Sequence, residues 1–501
     1  MARKTPQVAR QSAQEAPGAR FGAYLKDNWA GLAALFVLVL ATRALWFGDP
    51  VADYDEQLYS YIGWRMQFGE LPYADWWDRK PFGLFAIFGL AHALMGGGAL
   101  AFQLFGAIAA FAAGWLTYAC ARLIAGRIAA TFAGAFTVIL LAAYGSYSGQ
   151  SEVFFTPLLL AMLRLVAERD HPAFTRRAML AMLLGGLALQ VKYTVIPQCL
   201  FFGLYALWVE HSRGRSLVQL ARLAAAYALL GLAPTMLVAL LYLAVGEFEA
   251  FWFANFISFF DRIPAQQGRW QDGYRILVGP VAILVLGGIY GAFRMTAPRV
   301  WSIWWLYLGF VAACTASVFL PSTVYGYYFA GLAAAAALAA VPMFDGKAVL
   351  RIAFSALLLG AYLYILNIPA RYAQSQEERA QAQAFAAAIA PHVGAQDNCL
   401  WLFDGPTALY RLTGACVPTR YVYPDHMNNA LETQALGVNQ TGEVARILAT
   451  KPGVIVTASR AVTPQNRDAT ALVKAELEAS YEVVAEATMH KRKLIAWARR
   501  E

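Results

Sequence analysis

Residues 53–56 read Asp53-Tyr-Asp-Glu56, and residues 69–83 read Gly69-Glu-Leu-Pro-Tyr73-Ala-Asp75-Trp-Trp-Asp78-Arg79-Lys80-Pro81-Phe-Gly83. Three carboxylates within four positions repel one another and are costly to desolvate, so water, a metal or a cationic group must meet them. An apolar run, 29–47, ends just before them in Arg43-Ala-Leu-Trp-Phe47, and a shorter one, 81–95, follows. A hydrocarbon core takes about 20 mostly apolar residues per helix. The first run is therefore a span. The second is too short and starts at a proline, which predicts a re-entrant or juxtamembrane helix. An acidic loop held at a membrane surface between these two runs decides the fold class: a polytopic α-helical membrane protein.

Composition agrees. Of 501 residues, 59% are hydrophobic and only 14% charged, against about 25% charged in soluble domains. A soluble multidomain enzyme is excluded. The net charge of +9 does not point to nucleic acid, because the basic residues fall in short loops between apolar runs. Eleven spans are expected, at 29–47, 99–122, 128–147, 152–168, 178–191, 194–210, 218–245, 276–293, 300–320, 324–343 and 348–367. A cytoplasmic N-terminus places Arg122/Arg127, Arg169/Arg176/Arg177, Arg213/Arg215/Arg222, Arg294/Arg299 and Lys347/Arg351 on the cytoplasmic side, as the positive-inside rule requires. The polar stretch 1–28 has no apolar core and reads as a cytoplasmic tail rather than a cleaved signal. The opposite side receives the loop 48–81, the loop 246–275, turns near Gln150, Lys192 and Pro321, and everything after 368. A bacterial inner membrane, with that side periplasmic, is the expected location.

Residues 29–367 thus form a transmembrane module, and 368–501 a small periplasmic α/β domain. Polar helices at 371–390, 441–450 and 466–480 alternate there with short apolar strands at 400–403, 453–457, 481–485 and 494–497. Cys120, Cys199 and Cys314 lie in spans and read as packing residues. Cys399 and Cys416 lie where oxidation is permitted, so a disulfide and two free thiols are both open readings.

Within the first loop, Asp55 suits the N-cap of a helix over 56–68. Leu58, Tyr61, Ile62, Arg65 and Met66 share one stripe of it, and Gly69 is the stop. Such a helix lies in the interface plane, apolar side down, its acidic end over a cavity. On spacing alone, the acids equally suit an ordinary solvated loop that caps a helix.

The whole run resembles the first periplasmic loop of the GT-C glycosyltransferases, in the bacterial branch related to protein O-mannosyltransferases and lipid A aminoarabinose transferases. That family carries an Asp-Glu pair after the first span, here Asp55-Glu56. A G-x-x-P-Y-x-D stretch follows, here Gly69 to Asp75. Then comes an acidic-x-Lys-Pro-Pro turn, here Asp78-Arg79-Lys80-Pro81, with Phe82 in place of the second proline. The resemblance extends over 29–367. Tyr147-Ser-Gly-Gln-Ser-Glu152 matches the place of the family's second acidic residue, which makes Glu152 the match with Gln150 beside it. Gly186-Leu-Ala-Leu-Gln-Val-Lys192 resembles a "GLA…K" stretch. Tyr325-Gly-Tyr-Tyr328 resembles a "HYxxP" stretch, without its histidine and proline.

The resemblance implies a polyprenyl-phosphate-sugar donor and transfer to an acceptor hydroxyl on a lipid, a glycan or a protein. Such a displacement needs a base for the hydroxyl and positive charge on the departing phosphate. Asp55 is the expected base, with Asp53, Glu56 and Glu152 as rivals or orienters, and inversion at the anomeric carbon follows. Lys80 is the expected phosphate partner, with Arg43, Lys192, Arg262 and Arg269 as further candidates; for Arg43 and Lys192, snorkelling from a helix end is an equal alternative. Tyr54, Tyr59, Asp78, Gln150, Tyr325 and Tyr328 are expected to line the site or hold the acceptor. The aromatic stretch 251–263 suits a mixture of interfacial belt and donor-groove wall. Segments 400–410 and 418–423 resemble a part of similar transferases that covers the site or helps hold the acceptor, while Asp425 and His426 read as a solvated loop, with contacts to the site as the alternative. No cofactor is assigned; a divalent cation at the acids is conceivable but unsignalled, the six histidines lacking zinc-type spacing. The competing classes are a lipid-linked-sugar flippase and a non-catalytic envelope scaffold. Against the flippase, no repeated half and no midplane charge is seen.

Overall fold

The computed structural model of the protein describes residues 17–264, 274–321, 324–346 and 349–500. Arg269, a candidate phosphate ligand, lies outside them, as do Lys347 and most of the N-terminal tail.

Among the described residues, six helices are long and apolar enough to cross a membrane: Lys26–Trp46, Ala99–Ala121, Leu217–Ala244, Leu277–Arg294, Trp301–Phe319 and Arg351–His392. They coincide with six of the eleven expected spans. The other five expected spans are helical but shorter, such as Arg127–Ala143, Ser151–Val166, Phe174–Leu189 and Ile196–Ser212. At 1.5 Å rise per residue, 16–17 residues reach only about 25 Å, less than a hydrocarbon core of about 30 Å. Glycine lets these short helices approach closely: a Cβ on Gly134 would lie 2.8 Å from the carbonyl oxygen of Gly114 on the neighbouring helix. The apolar run after Pro81 is the helix Phe82–Met95 of 14 residues, as its length predicted.

The first loop differs from expectation in two respects. Its helix spans Tyr54–Arg65, and its N-cap is Asp53, whose carboxylate accepts from the Asp55 amide at 3.0 Å. Asp55 is left in the first turn with its carboxylate free for other partners. Nor does the helix float in an interface, because eight consecutive residues, Glu56 to Gly63, are buried. One side packs on the helix Phe82–Met95; the other meets the C-terminal region, where Gln57 Oε1 accepts from the Ala408 amide at 3.1 Å. A wet face was expected because those partners are remote in sequence.

Near the C-terminus, β1 (Leu400–Leu402), β2 (Val454–Ala458), β3 (Tyr481–Met489) and β4 (Arg492–Arg499) form one sheet in the order β1-β2-β4-β3. β1 and β2 are parallel and the other pairs antiparallel. The helices Gln440–Ala449 and Arg467–Ser480 connect them, and Cys399 and Cys416 are joined in a disulfide beside β1. Cys120 and Cys314 are buried free thiols, and Cys199 is half-buried.

Candidate active site

A turn and a glycine bring the first cationic group into place. Asp78 is buried and accepts from the Lys80 amide at 2.7 Å, while Tyr73 donates its hydroxyl to the Lys80 carbonyl at 2.7 Å. Pro81 then starts the helix Phe82–Met95, and Gly83 lies directly against Gln190, where a Cβ would be 2.6 Å from the Gln190 Cβ. The Leu84 amide donates to the Gln190 carbonyl at 2.9 Å. This contact fixes the Lys80 turn beside the Lys192 turn, two residues past Gln190.

A cavity of about 380 Å³ lies where these turns meet the N-terminal end of the helix Tyr54–Arg65. Asp53, Tyr54, Asp55, Tyr59, Asp78, Lys80, Gln150, Lys192, Arg262, Tyr325 and Tyr328, all expected from the sequence, line it. Asp55 is the best furnished of its acids. Its Oδ2 accepts from the Tyr59 hydroxyl at 3.3 Å and from Gln150 Nε2 at 3.4 Å, and its Oδ1 from the Tyr423 hydroxyl at 3.2 Å. Burial by itself would push this carboxyl up, but the Lys80 ammonium, helped by Gln150, Lys192 and Tyr423, holds it below the usual range. Asp53 goes the other way: burial, then the neighbouring Asp55 charge, pushes it up to about 7, against amide bonds and a 2.8 Å bond from Gln150. The two neighbouring acids are thus pushed in opposite directions, which favours the negative charge on Asp55 over Asp53.

Three expected residues play other parts. Glu56 turns away from the cavity, accepts from the Gly149 amide at 2.7 Å, and is pushed well up by burial and then by Asp53. It ties the loop to the Gln150 turn. Glu152 does not line the cavity; it is buried in an ion pair with Lys192, whose Nζ also stands 4.1 Å from the Tyr328 ring centroid. Glu152 is thus engaged by Lys192, and Lys192 neither snorkels nor stands free. Arg43 is 1% exposed and donates to the Ser146 carbonyl at 2.9 Å, outside the cavity lining. Neither the phosphate reading nor the snorkelling reading survives for it, because the turn 146–150 closes over it.

Arg262 reaches the cavity from the aromatic stretch. Its Nε is 2.7 Å from Glu432 Oε1, and its Nη2 donates to the Tyr325 hydroxyl at 3.1 Å. Arg79 pairs with the same Glu432. Burial opposes the charge on Glu432, yet the two guanidinium groups hold its carboxyl below the usual range. The stretch around Arg262 is mixed: Phe251 is buried against Tyr73 and Tyr242, Phe259 lines the cavity, and Phe260 is exposed.

The remaining wall was expected only in outline: Asp404 and Tyr423 lie in the two segments that the resemblance sets over the site, whereas Asn428, Thr463 and Arg492 were not singled out. Asp404, Tyr423, Asp425, His426, Asn428 and Thr463 come from the turns above the sheet, with Arg492 from β4 paired to Asp404. His426 is 5% exposed and pushed down to about 4 by burial, so it is a neutral wall residue and no part of a solvated loop. Asp425 is pushed up to about 6 by burial, then by Glu432. The available signal was polar residues directly after short apolar strands and turns, as in Asp404-Gly-Pro and Tyr423-Pro-Asp-His.

Residues 79–238 match the sequence profile of the family described as dolichyl-phosphate-mannose-protein mannosyltransferase. A solved structure of ArnT from Cupriavidus metallidurans bound to undecaprenyl phosphate superposes with a TM-score of 0.58 at 16% identity, covering 96% of this chain and 98% of that one. The archaeal oligosaccharyltransferase AglB from Archaeoglobus fulgidus, in complex with an inhibitory peptide and a dolichol-phosphate, gives 0.50 at 11% identity, covering 87% and 70%. Among curated protein sequences there is no significant match.

Proposed function

We infer that this multi-pass membrane chain, which has the GT-C glycosyltransferase fold and a protein-mannosyltransferase sequence segment, moves a sugar from a polyprenyl-phosphate donor to an acceptor hydroxyl, on the periplasmic face of a bacterial inner membrane. The observation that carries this is one cavity in which the Asp55 carboxylate accepts from the Tyr59 and Tyr423 hydroxyls, with Lys80 and Arg262 in the same lining. In the reaction the acceptor oxygen attacks the anomeric carbon from the side opposite the phosphate. The acceptor O–H proton passes to Asp55, the anomeric C–O bond to phosphate breaks, and the configuration inverts. The lipid phosphate leaves as an anion, its charge met by Lys80 and, as Arg262 slackens from Glu432, by that guanidinium. The undecaprenyl phosphate bound to ArnT and the dolichol-phosphate bound to AglB support a donor of this kind.

The test is transfer in detergent from synthetic polyprenyl-phosphate hexoses and pentoses. Asp55→Asn keeps the size of the side chain and an acceptor for Tyr423, so a folded variant should lose about a hundredfold or more of the rate, as removal of a general base does. Wild-type transfer by that variant would refute the base. No consumption of any lipid-phosphate sugar by the wild type would favour the flippase or the scaffold.

A further inference from the structure

The C-terminal part of the cavity wall supplies three carboxylates, Asp404, Asp425 and Glu432, against one cation, Arg492, whereas the transmembrane part sets Arg79, Lys80, Lys192 and Arg262 beside Asp53, Asp55 and Asp78. Glu432 is neutralised by two arginines and Asp404 by Arg492. Among the described residues no ion pair reaches Asp425. Its oxygens accept instead from the Thr463 hydroxyl and the Asn429 amide, both at 3.2 Å.

Around Asp425 the wall holds hydrogen-bonding capacity that nothing in the fold uses. His426 Nδ1 and Asn428 Oδ1 make no hydrogen bond, although their side chains are 5% and 1% exposed and both residues line the cavity. Gln150 Oε1, on the facing wall beside Asp55, is likewise without a partner at 2% exposure. Leaving a buried acceptor unpaired is costly, and each such group calls for an explanation. An amide oxygen and a carboxylate accept hydrogen bonds, as does an imidazole nitrogen that carries no proton. The ligand complementary to them presents several hydroxyl or amino donors. An anionic headgroup would meet Asp425 with like charge and leave the acceptors unfilled.

Resting on the transferase reading above, we propose that the C-terminal wall of the cavity, centred on Asp425 with His426, Asn428 and Thr463, is the acceptor subsite and takes a neutral or amino sugar, so that the acceptor is a glycan. One sugar hydroxyl then faces Asp55 while others fill the vacant acceptors. Asp425 selects the acceptor and does not touch the reacting bond.

The full-length protein in detergent is tested with methyl hexosides and methyl hexosaminides, with a serine- and threonine-containing peptide, and with lipid A as alternative acceptors. Two readouts are taken. Saturation-transfer NMR measures glycoside binding without any donor, and steady-state kinetics with the lipid-phosphate sugar separates the KM for acceptor from that for donor. The expected result is glycoside binding and use as acceptor. Asp425→Asn should weaken both at least tenfold, as for loss of a hydrogen bond to a charged group, while the donor KM moves less than twofold. Thr463→Val, which removes one donor to Asp425, should give a smaller shift of the same sign and serves if the first variant does not fold. Use of the peptide or of lipid A with no glycoside binding would overturn the proposal, as would a variant that shifts donor KM and acceptor KM alike. Glycoside binding with no donor consumed would leave the subsite standing and remove the transferase.

Discussion

Replacing Gly83 by alanine should cripple transfer although Gly83 carries no chemistry. The added Cβ would sit 2.6 Å from the Gln190 Cβ, 2.8 Å from its carbonyl oxygen and 3.2 Å from its carbonyl carbon. Ordinary contact needs about 3.6 Å, so the two segments must part by roughly 1 Å. Gln190 presents backbone here, which cannot swing aside. The separation also stretches the 2.9 Å bond from the Leu84 amide beyond useful length. Overpacking costs about 1–3 kcal/mol and the weakened bond about 1 more. The larger effect is on geometry, because the parting moves the Lys80 turn away from the Lys192 turn. A misplacement of about 1 Å in a reacting constellation is worth on the order of a hundredfold in rate. Gly360→Ala is the matched control, since nothing lies within 4 Å of its Cβ position in the middle of the helix Val349–Leu366. Thermal unfolding in detergent and the transfer rate from a lipid-phosphate sugar are measured for both. A Gly83→Ala protein with wild-type kcat would refute the argument that this contact sets the spacing of the two cationic turns.

Two further outcomes follow from the charges. Because the folded protein raises Asp53 from 3.8 to about 7, ionising it disfavours the fold, so its contribution is favourable below pH 4 and is lost as pH rises toward 7. Asp53→Asn still caps the helix and should remove up to a few kcal/mol of that decline, read as a flatter unfolding temperature between pH 5 and 7. The Asp425 contribution, of the same sign, is common to both proteins, while Glu56, which the Asp53 charge helps push up, relaxes in the variant and adds to the flattening; an unchanged slope would refute the assignment. Glu432→Gln leaves two buried guanidinium groups facing a neutral amide and should cost about 3–5 kcal/mol, seen as a lower unfolding temperature; no change would mean that the clamp contributes nothing to holding the segments together.

The first loop was legible because its information is local. Carboxylate spacing, Gly69 and the Lys80-Pro81 turn lie within thirty residues, and their order survives in the structure. The same locality explains the error over the N-cap: Asp53 and Asp55 both satisfy the residue preference, and only the backbone decides that Asp53 precedes the first turn. Glu152 and Lys192 were both singled out, but their pairing across 40 positions could not be read from either, so each was credited with a free role. For the wall from the C-terminal region the two segments 400–410 and 418–423 were legible, but their individual contacts were out of reach for a stronger reason. The Tyr423 hydroxyl meets Asp55 across 368 residues, and no periodicity reports such a contact. Arg43 misled because a cation at the end of an apolar run looks like a surface group until the chain closing over it is known.

The double clamp on Glu432 has a thermodynamic corollary. One carboxylate is shared by two arginines, and in the proposed reaction an arriving phosphate competes with Glu432 for Arg262. If binding a phosphate weakens that clasp, reciprocity demands that weakening the clasp from the other side strengthens phosphate binding by the same factor. The C-terminal segment and the lipid-linked substrate are then antagonists at a single guanidinium. Whatever loosens the segment at residue 432 tightens the hold on substrate, and release of the spent lipid phosphate is helped when the segment settles back.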